Sequence, residues 1–255
     1  MSIWQRFRQL LHNDDQQTVE NEPVTACFWQ VDIHSHLLPG VDDGVATPDE
    51  SLACMQQLVD WGIRRIVTTP HVSRDWYPNT SAELRAGQAT LQALADEHGL
   101  PLQIDVAAEY MIDDFFPQLL SAGDLLTFGP EKYLLFETGW SSAPHFLENI
   151  IFRIRTGGYT PLLAHPERYV YYHDDEAKLA RLRELGCLFQ LNWLSLTGRY
   201  GSRVQAQARR LMKNGWVDFF GSDLHRPGDL TAMGQFFKSS DYELLKTMPL
   251  RNASL

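Results

Sequence analysis

Cysteine is scarce: three in 255 residues, Cys27, Cys54 and Cys187, with no C-x-x-C pair. An odd, widely spaced set makes no disulfide framework, so a reducing, cytoplasmic setting is expected. Thiol catalysis is equally poorly served. Cys54 lies in SLACMQQLVDW, which reads as helix, and no glycine-rich anion loop and arginine follow it. Positive charge is short as well, with 22 Lys and Arg against 32 Asp and Glu and a net charge of −10. That balance disfavours a nucleic-acid partner, because phosphate backbones are met by basic patches. No apolar run reaches the roughly 18 residues of a membrane span. The first stretch, MSIWQRFRQLLHNDDQQ, lacks the apolar core of a signal peptide. Also missing are a glycine-rich phosphate loop after the first apolar run, a G-x-x-x-x-G-K-[ST] loop and a G-x-S-x-G elbow.

What is present is a rhythm. In residues 1–25, Trp4, Phe7, Leu10 and Leu11 precede a polar stretch, HNDDQQTVENEP, and the whole is expected to form a flexible tail. From residue 28 short apolar runs alternate with longer amphipathic ones. Strands are expected at 28–34, 63–69, 102–108, 132–137, 160–164, 187–192 and 217–222. Helices are expected at 48–61, 80–98, 144–156, 175–185 and 202–214, with a shorter one in 113–123. Thr47 followed by Pro48 is a helix start, and Gly62, Gly99, Gly186 and Gly215 each stand where a helix should stop. Such alternation predicts βα units and a parallel sheet, here one domain over residues 26–255, either an open sheet or a barrel.

The chemistry sits where the apolar runs end. The stretch DIHSHLLPGVDDG (32–44) opens the series with His34 and His36. His71, Glu109, Glu137 and His165 end the second to fifth runs, and Asp223 with His225 end the seventh; the sixth, near Asn192, offers no ionisable ligand. In a parallel barrel these ends converge on one face, where active sites form. Residues i and i+2 of a strand point the same way about 6.6 Å apart, so His34 and His36 can share an ion, and so can Asp223 and His225. Imidazoles mixed with carboxylates, without a thiolate, suit manganese, iron or zinc. The donors exceed the needs of one ion, so two or three are expected. Clustered metals suit displacement at phosphorus. Arg168, in AHPERY, and Arg226, directly after His225, are the cations placed to take a phosphate.

DIHSHLLPGVDDG, TTPH, Glu109, AHPERY and GSDLH together resemble the polymerase and histidinol phosphatase (PHP) superfamily. Within it they look most like the bacterial manganese-dependent protein tyrosine phosphatases of capsule and exopolysaccharide clusters. YLLFET and LSLTGRYG fit the same pattern, and the resemblance runs from about residue 31 to 235. It implies a distorted (β/α)7 TIM-like barrel with three metals at the C-terminal strand ends. Carried over, it puts His34, His36 and Asp223 on a first metal, with Glu109 bridging to a second that Glu137 and His165 also hold. Asp43, His71 and His225 take a third, with Asp42 the adjacent alternative to Asp43, and Arg168 meets the substrate phosphate. The family carries an arginine a few residues beyond its final histidine; here Arg226 follows at once. The activity implied is hydrolysis of phosphotyrosine, on a tyrosine kinase that regulates polysaccharide export. A small-molecule phosphatase such as histidinol phosphatase is the alternative.

Overall fold

A computed structural model describes residues 26–173 and 175–255. The expected tail at 1–25 lies outside the described residues. The chain alternates short parallel strands with helices. In order these are β1 (Val31–Asp32), α1 (Pro48–Asp60), β2 (Arg65–Thr68), β3 (His71–Val72), α2 (Ser81–Glu97), β4 (Gln103–Val106) and β5 (Glu109–Met111). There follow α3 (Phe116–Ala122), β6 (Tyr133–Glu137), α4 (Leu147–Thr156), β7 (Thr160–Ala164), α5 (Glu176–Glu184), β8 (Leu188–Asn192) and α6 (Trp193–Leu196). The last are α7 (Ser202–Lys213), β9 (Phe219–Gly221), α8 (Leu230–Phe236) and α9 (Ser240–Leu245). No helix among the described residues is long and apolar enough to cross a membrane.

Every ladder is parallel. One sheet runs β1-β2-β4 and a second runs β3-β5-β6-β7-β8-β9, giving a curved α/β architecture. The division into two sheets comes from two interrupted segments. Pro70 separates β2 from β3, and a proline has no N–H to donate to a ladder. Its carbonyl still accepts from Glu109 N at 3.0 Å, which carries the pairing onward from β4 to β5. The two edges also meet. Ser35 bridges Leu224 in parallel, Asp223 N donates to His34 O at 2.7 Å, and His36 N donates to Leu224 O at 3.0 Å.

Local chemistry explains the helices. The Thr47 hydroxyl caps α1 by accepting from Glu50 N, with Pro48 at its first position. Thr80 and Glu83 form a reciprocal capping box on α2. The four expected stop glycines all carry positive φ: Gly62 103°, Gly99 66°, Gly186 83° and Gly215 66°.

Some expectations differ. The first strand, expected at 28–34, pairs regularly only at Val31–Asp32, because Gln30 takes φ 54° and turns the chain just before it. The helix expected at 144–156 starts only at Leu147. Helices α6, α8 and α9 lie in stretches without a long amphipathic repeat. Their tryptophan and aromatic residues pack instead as a cluster, in which the Trp193 ring lies 5.2 Å from Trp29 and 5.9 Å from Phe236.

A separate apolar cluster draws Val31 and Ile33, Val67, Ala107, Leu135, Leu162 with Ala164, and Phe219 from successive strand segments. Strand periodicity carries this cluster toward the chemistry. In β6, Tyr133, Leu135 and Glu137 share a face, so two core side chains precede one carboxylate.

Candidate metal centre

The residues that end the strands come together. His34 Nε2 lies 3.3 Å from Glu109 Oε2, 3.2 Å from Asp223 Oδ1 and 3.3 Å from His36 Nε2. His71 Nδ1 lies 3.2 Å from Glu109 Oε2 and 3.1 Å from Glu137 Oε1, while its Nε2 lies 3.4 Å from Asp43 Oδ1. His225 Nε2 is 3.6 Å from the same Asp43 oxygen. Three sets offer donor atoms that all lie within 4.8 Å of one another: His34, His36, Glu109 and Asp223; His71, Glu109 and Glu137; and His36, Asp43, His71 and His225. His165 belongs to none of these sets, although its Nε2 meets Glu109 Oε1 at 2.9 Å. His71 stands with Glu109 and Glu137 where the family pattern implies His165. The cluster grades from Glu109, fully buried, to Asp43, whose side chain is 56% exposed, so the Asp43 side is its mouth.

Surrounding groups aim these side chains. Asp42 accepts from His36 Nδ1 at 2.7 Å, from His71 N at 3.0 Å and from Gly44 N at 3.0 Å. It thus orients His36 from the Nδ1 side, whereas Asp43 Oδ1 faces the Nε2 atoms of His71 and His225. Gln190 Oε1 accepts from His34 Nδ1 at 2.9 Å and from His165 N at 3.2 Å. Asn192 Nδ2 donates to Asp223 Oδ2 at 2.6 Å. Strand β8, the sixth apolar run of the sequence and the one without an ionisable ligand, therefore supplies two orienting amides, a common arrangement around metal ligands. Asp42, Gln190 and Asn192 were not assigned these roles from sequence. Glutamine and asparagine at a strand end give no signal beyond polarity, though their place in β8, between ligand-bearing neighbours, was a usable one. Backbone strain concentrates here too. Of the four non-glycine residues at positive φ among the described residues, two are His165 (35°) and Asp223 (50°).

The donor set fits metal ions on two observations. With Nδ1 of His34 and His36 engaged by Gln190 and Asp42, the two Nε2 atoms face each other at 3.3 Å. In neutral imidazoles two lone pairs would meet there, so the contact calls for a proton or a metal cation between them. Second, His71 Nδ1, Glu109 Oε2 and His165 Nδ1 are buried polar atoms with no hydrogen-bond partner among the described residues, although buried polar groups are ordinarily satisfied.

Electrostatics point the same way. Burial, the largest single influence, would strip the proton from His71, but the Glu109 charge together with hydrogen bonds to Asp43 and Glu137 outweighs it and pushes the imidazole up to about 10. His36 is likewise raised, with burial opposed by Asp42. Burial would raise Glu109 and Asp223, yet His34 leads the imidazoles that hold both well below the usual carboxylate range. Hydrogen bonds from His225 and His71 lower Asp43. His165 is lowered by burial and by the Arg168 charge, which keeps its imidazole neutral. Protons on histidine thus balance buried carboxylates wherever a cation does not.

Arg168 reaches this site and Arg226 does not. Arg168 Nη1 donates to Asp223 Oδ2 at 2.7 Å. Its guanidinium carbon lies 4.6 Å from the Trp140 ring centre and 4.4 Å from that of Tyr200. The Arg226 side chain is 64% exposed and pairs with Asp229 at 3.5 Å. Its backbone is extended (φ −159°, ψ 152°), and adjacent side chains of an extended segment point opposite ways, so Arg226 diverges from His225. No cysteine joins these donor sets: all three are free and buried, and burial pushes the Cys54 thiol up to about 12.

Residues 30–233 match the family described as capsular polysaccharide synthesis, CpsB/CapC. The tyrosine-protein phosphatase YwqE of Bacillus subtilis (strain 168) is 31% identical over 195 residues, 76% of this chain and 77% of that protein. The tyrosine-protein phosphatase CpsB of Streptococcus pneumoniae is 27% identical over 202 residues, 76% of this chain and 82% of that one. A chain from crystal structures of YwqE and CpsB, described as unique metal-dependent tyrosine phosphatases, superposes with a TM-score of 0.73 at 28% identity. It covers 86% of this chain and 96% of its own length.

Proposed function

The chain belongs to the capsular polysaccharide synthesis CpsB/CapC family, and from that premise we propose that it is a metal-dependent protein tyrosine phosphatase. Its substrate is a tyrosine-phosphorylated protein of the polysaccharide export machinery, a regulatory tyrosine kinase being the expected one, in a reducing, cytoplasmic setting. The likeness to YwqE and CpsB supports this, and so do the gathered His and carboxylate side chains. We read the parallel strands as a distorted (β/α)7 barrel of PHP type, a reading supported by the hydrogen bonds between the segments at 34–36 and 223–224.

One observation carries the reading. Glu109 is fully buried, and its Oε2 faces His34 at 3.3 Å, His71 at 3.2 Å and His36 at 3.5 Å without a hydrogen-bond partner among the described residues. A carboxylate so placed would hold metal ions together with the imidazoles around it. His34, His36, His71, Glu109, Glu137, Asp43, Asp223 and His225 would hold two or three ions, manganese by preference, with iron or zinc compatible with the same donors. His165 would join them through Glu109. Such ions would supply Lewis acidity at the phosphoryl group.

The chain's own residues do the rest. Arg168 takes the phosphoryl oxygens with the N–H groups that Asp223 leaves open, as a planar guanidinium suits. Trp140 and Tyr200 fix its plane. Asp42 and Gln190 fix the ring orientation of His36 and His34. Arg226, paired with Asp229, is left out of the phosphate site. Steady-state turnover of a phosphotyrosyl peptide against histidinol phosphate, with manganese present, tests the assignment. A higher kcat/KM on the peptide is expected, and the reverse order would favour the small-molecule alternative.

A further inference from the structure

Two aromatic rings on the rim of the cluster have no part in holding metal. The Tyr77 ring lies 5.4 Å from that of His71 at an interplanar angle of 16°, and the Trp140 ring lies 5.8 Å from that of His165, also at 16°. Trp29 and Trp193, by contrast, are core residues at 1% exposure, whereas Trp140 is 47% exposed. Exposure alone carries nothing, since single apolar side chains on a surface are ordinary. Position does. Trp140 stands three residues beyond Glu137 and packs against His165, and the Arg168 guanidinium carbon is 4.6 Å from its ring centre. One indole therefore touches both the ligand neighbourhood and the phosphate-binding arginine while about half of its surface stays open.

We infer that Trp140 is the platform on which the ring of an aryl phosphate rests, and hence the residue that makes this site prefer aryl over alkyl phosphomonoesters. The inference rests on the phosphatase reading. In an aryl phosphomonoester a single oxygen joins the ring to phosphorus. Phosphoryl oxygens held by Arg168 thus bring that ring beside whatever flanks the guanidinium on its open side. Tyr200, the other flank, is largely enclosed, whereas Trp140 is half open. Aromatic rings prefer offset-stacked or edge-to-face contact over a loose apolar wall. An alkyl phosphate offers no such partner. Tyr77 sits across His71 and has no contact with Arg168 among the described residues, so it lies off the line that the phosphate defines.

The test compares kcat/KM on phenyl phosphate and on propyl phosphate for manganese-loaded full-length protein and its Trp140→Ala, Trp140→Phe and Tyr77→Ala variants. Trp140→Ala should lower the aryl-to-alkyl ratio roughly tenfold, the scale of one lost aromatic contact. Trp140→Phe should restore most of the ratio, and Tyr77→Ala should leave it near wild type. Binding gives a second readout. Benzylphosphonate should quench tryptophan emission in wild type and not in Trp140→Phe, which keeps the platform without the indole, while propylphosphonate should quench neither. An unchanged ratio in Trp140→Ala, with both substrates slowed alike, would reduce Trp140 to a support for Arg168 and overturn the inference. A ratio that falls in Tyr77→Ala instead would also overturn it. Wild-type protein that hydrolyses neither ester would remove the phosphatase reading and the inference with it.

Discussion

Glu109, fully buried, and Arg168, partly buried, show how two charges divide the work of the site. Replacing Glu109 by Gln keeps its shape and removes the charge that His34 and His71 balance. The amide also loses one of the two acceptor oxygens that face different imidazoles. Metal content measured by atomic spectroscopy should therefore fall together with turnover in Glu109→Gln; full occupancy with normal rate would take Glu109 out of the cluster. Arg168→Ala should behave differently. Asp223 keeps the bond from Asn192 at 2.6 Å, so metal content and folding should stay near wild type. The rate should drop 10²–10³-fold, about 2.7–4 kcal/mol, by analogy with a lost oxyanion donor. Arg168→Lys should recover only part of it, because a point charge does not reproduce the planar fork. At this scale the side chains that gather in the cluster were visible in sequence because histidine and carboxylate recur at the ends of successive apolar runs. The choice between Asp42 and Asp43 was not legible, since neighbours of identical chemistry differ only in which way the loop turns them. Arg226 turns toward Asp229 instead, because proximity in sequence to His225 says nothing about the opposite directions of adjacent side chains.

Strands β1, β8 and β9 hold the site at close quarters, and Gly221 is the element-level condition for it. A Cβ at this position would lie 2.8 Å from His34 Cβ and 3.0 Å from Gln190 Nε2. Both are side chains that cannot retreat, because each holds the other through the Nδ1 to Oε1 bond. Gly221→Ala should therefore fold but turn His34 off its line. Metal affinity measured by competition with a chelating dye should fall 10–100-fold, the usual scale for disturbing the groups that orient a ligand. An unchanged affinity would mean that β9 is free to shift. Elements with caps and stops were readable: α1 from Thr47, Pro48 and Gly62, and the end of α2 from Gly99. Helices α6, α8 and α9 were not, because aromatic contacts among Trp29, Trp193 and Phe236 fix them and such long-range packing leaves no local period in the sequence.

As a whole the molecule stores several buried carboxylates against imidazoles, and this gives it a pH signature that depends on metal. In metal-free protein His71 titrates at about 10, above its ordinary value near 6.5. A raised pKa stabilises the fold fully below the unfolded value, and that contribution is lost as pH rises toward 10. Thermal scans of chelated protein should show Tm falling between about pH 7 and pH 10. Metal-loaded protein, whose ligands are already deprotonated, should show a flatter profile. Equal slopes for the two forms would mean that the imidazoles do not balance the carboxylates as described. The α/β alternation and the convergence of strand ends were visible from the apolar runs. The closeness of the donor atoms was not, since it depends on the curvature of the sheet. The account stands most directly on one measurement: phosphotyrosyl-peptide hydrolysis by protein treated with a chelator, then supplied with manganese, beside protein treated with a thiol-alkylating reagent. Chelation should abolish turnover, manganese should restore it, and alkylation should leave it intact, because Cys27, Cys54 and Cys187 are buried. Turnover that survives chelation and disappears on alkylation would contradict the account.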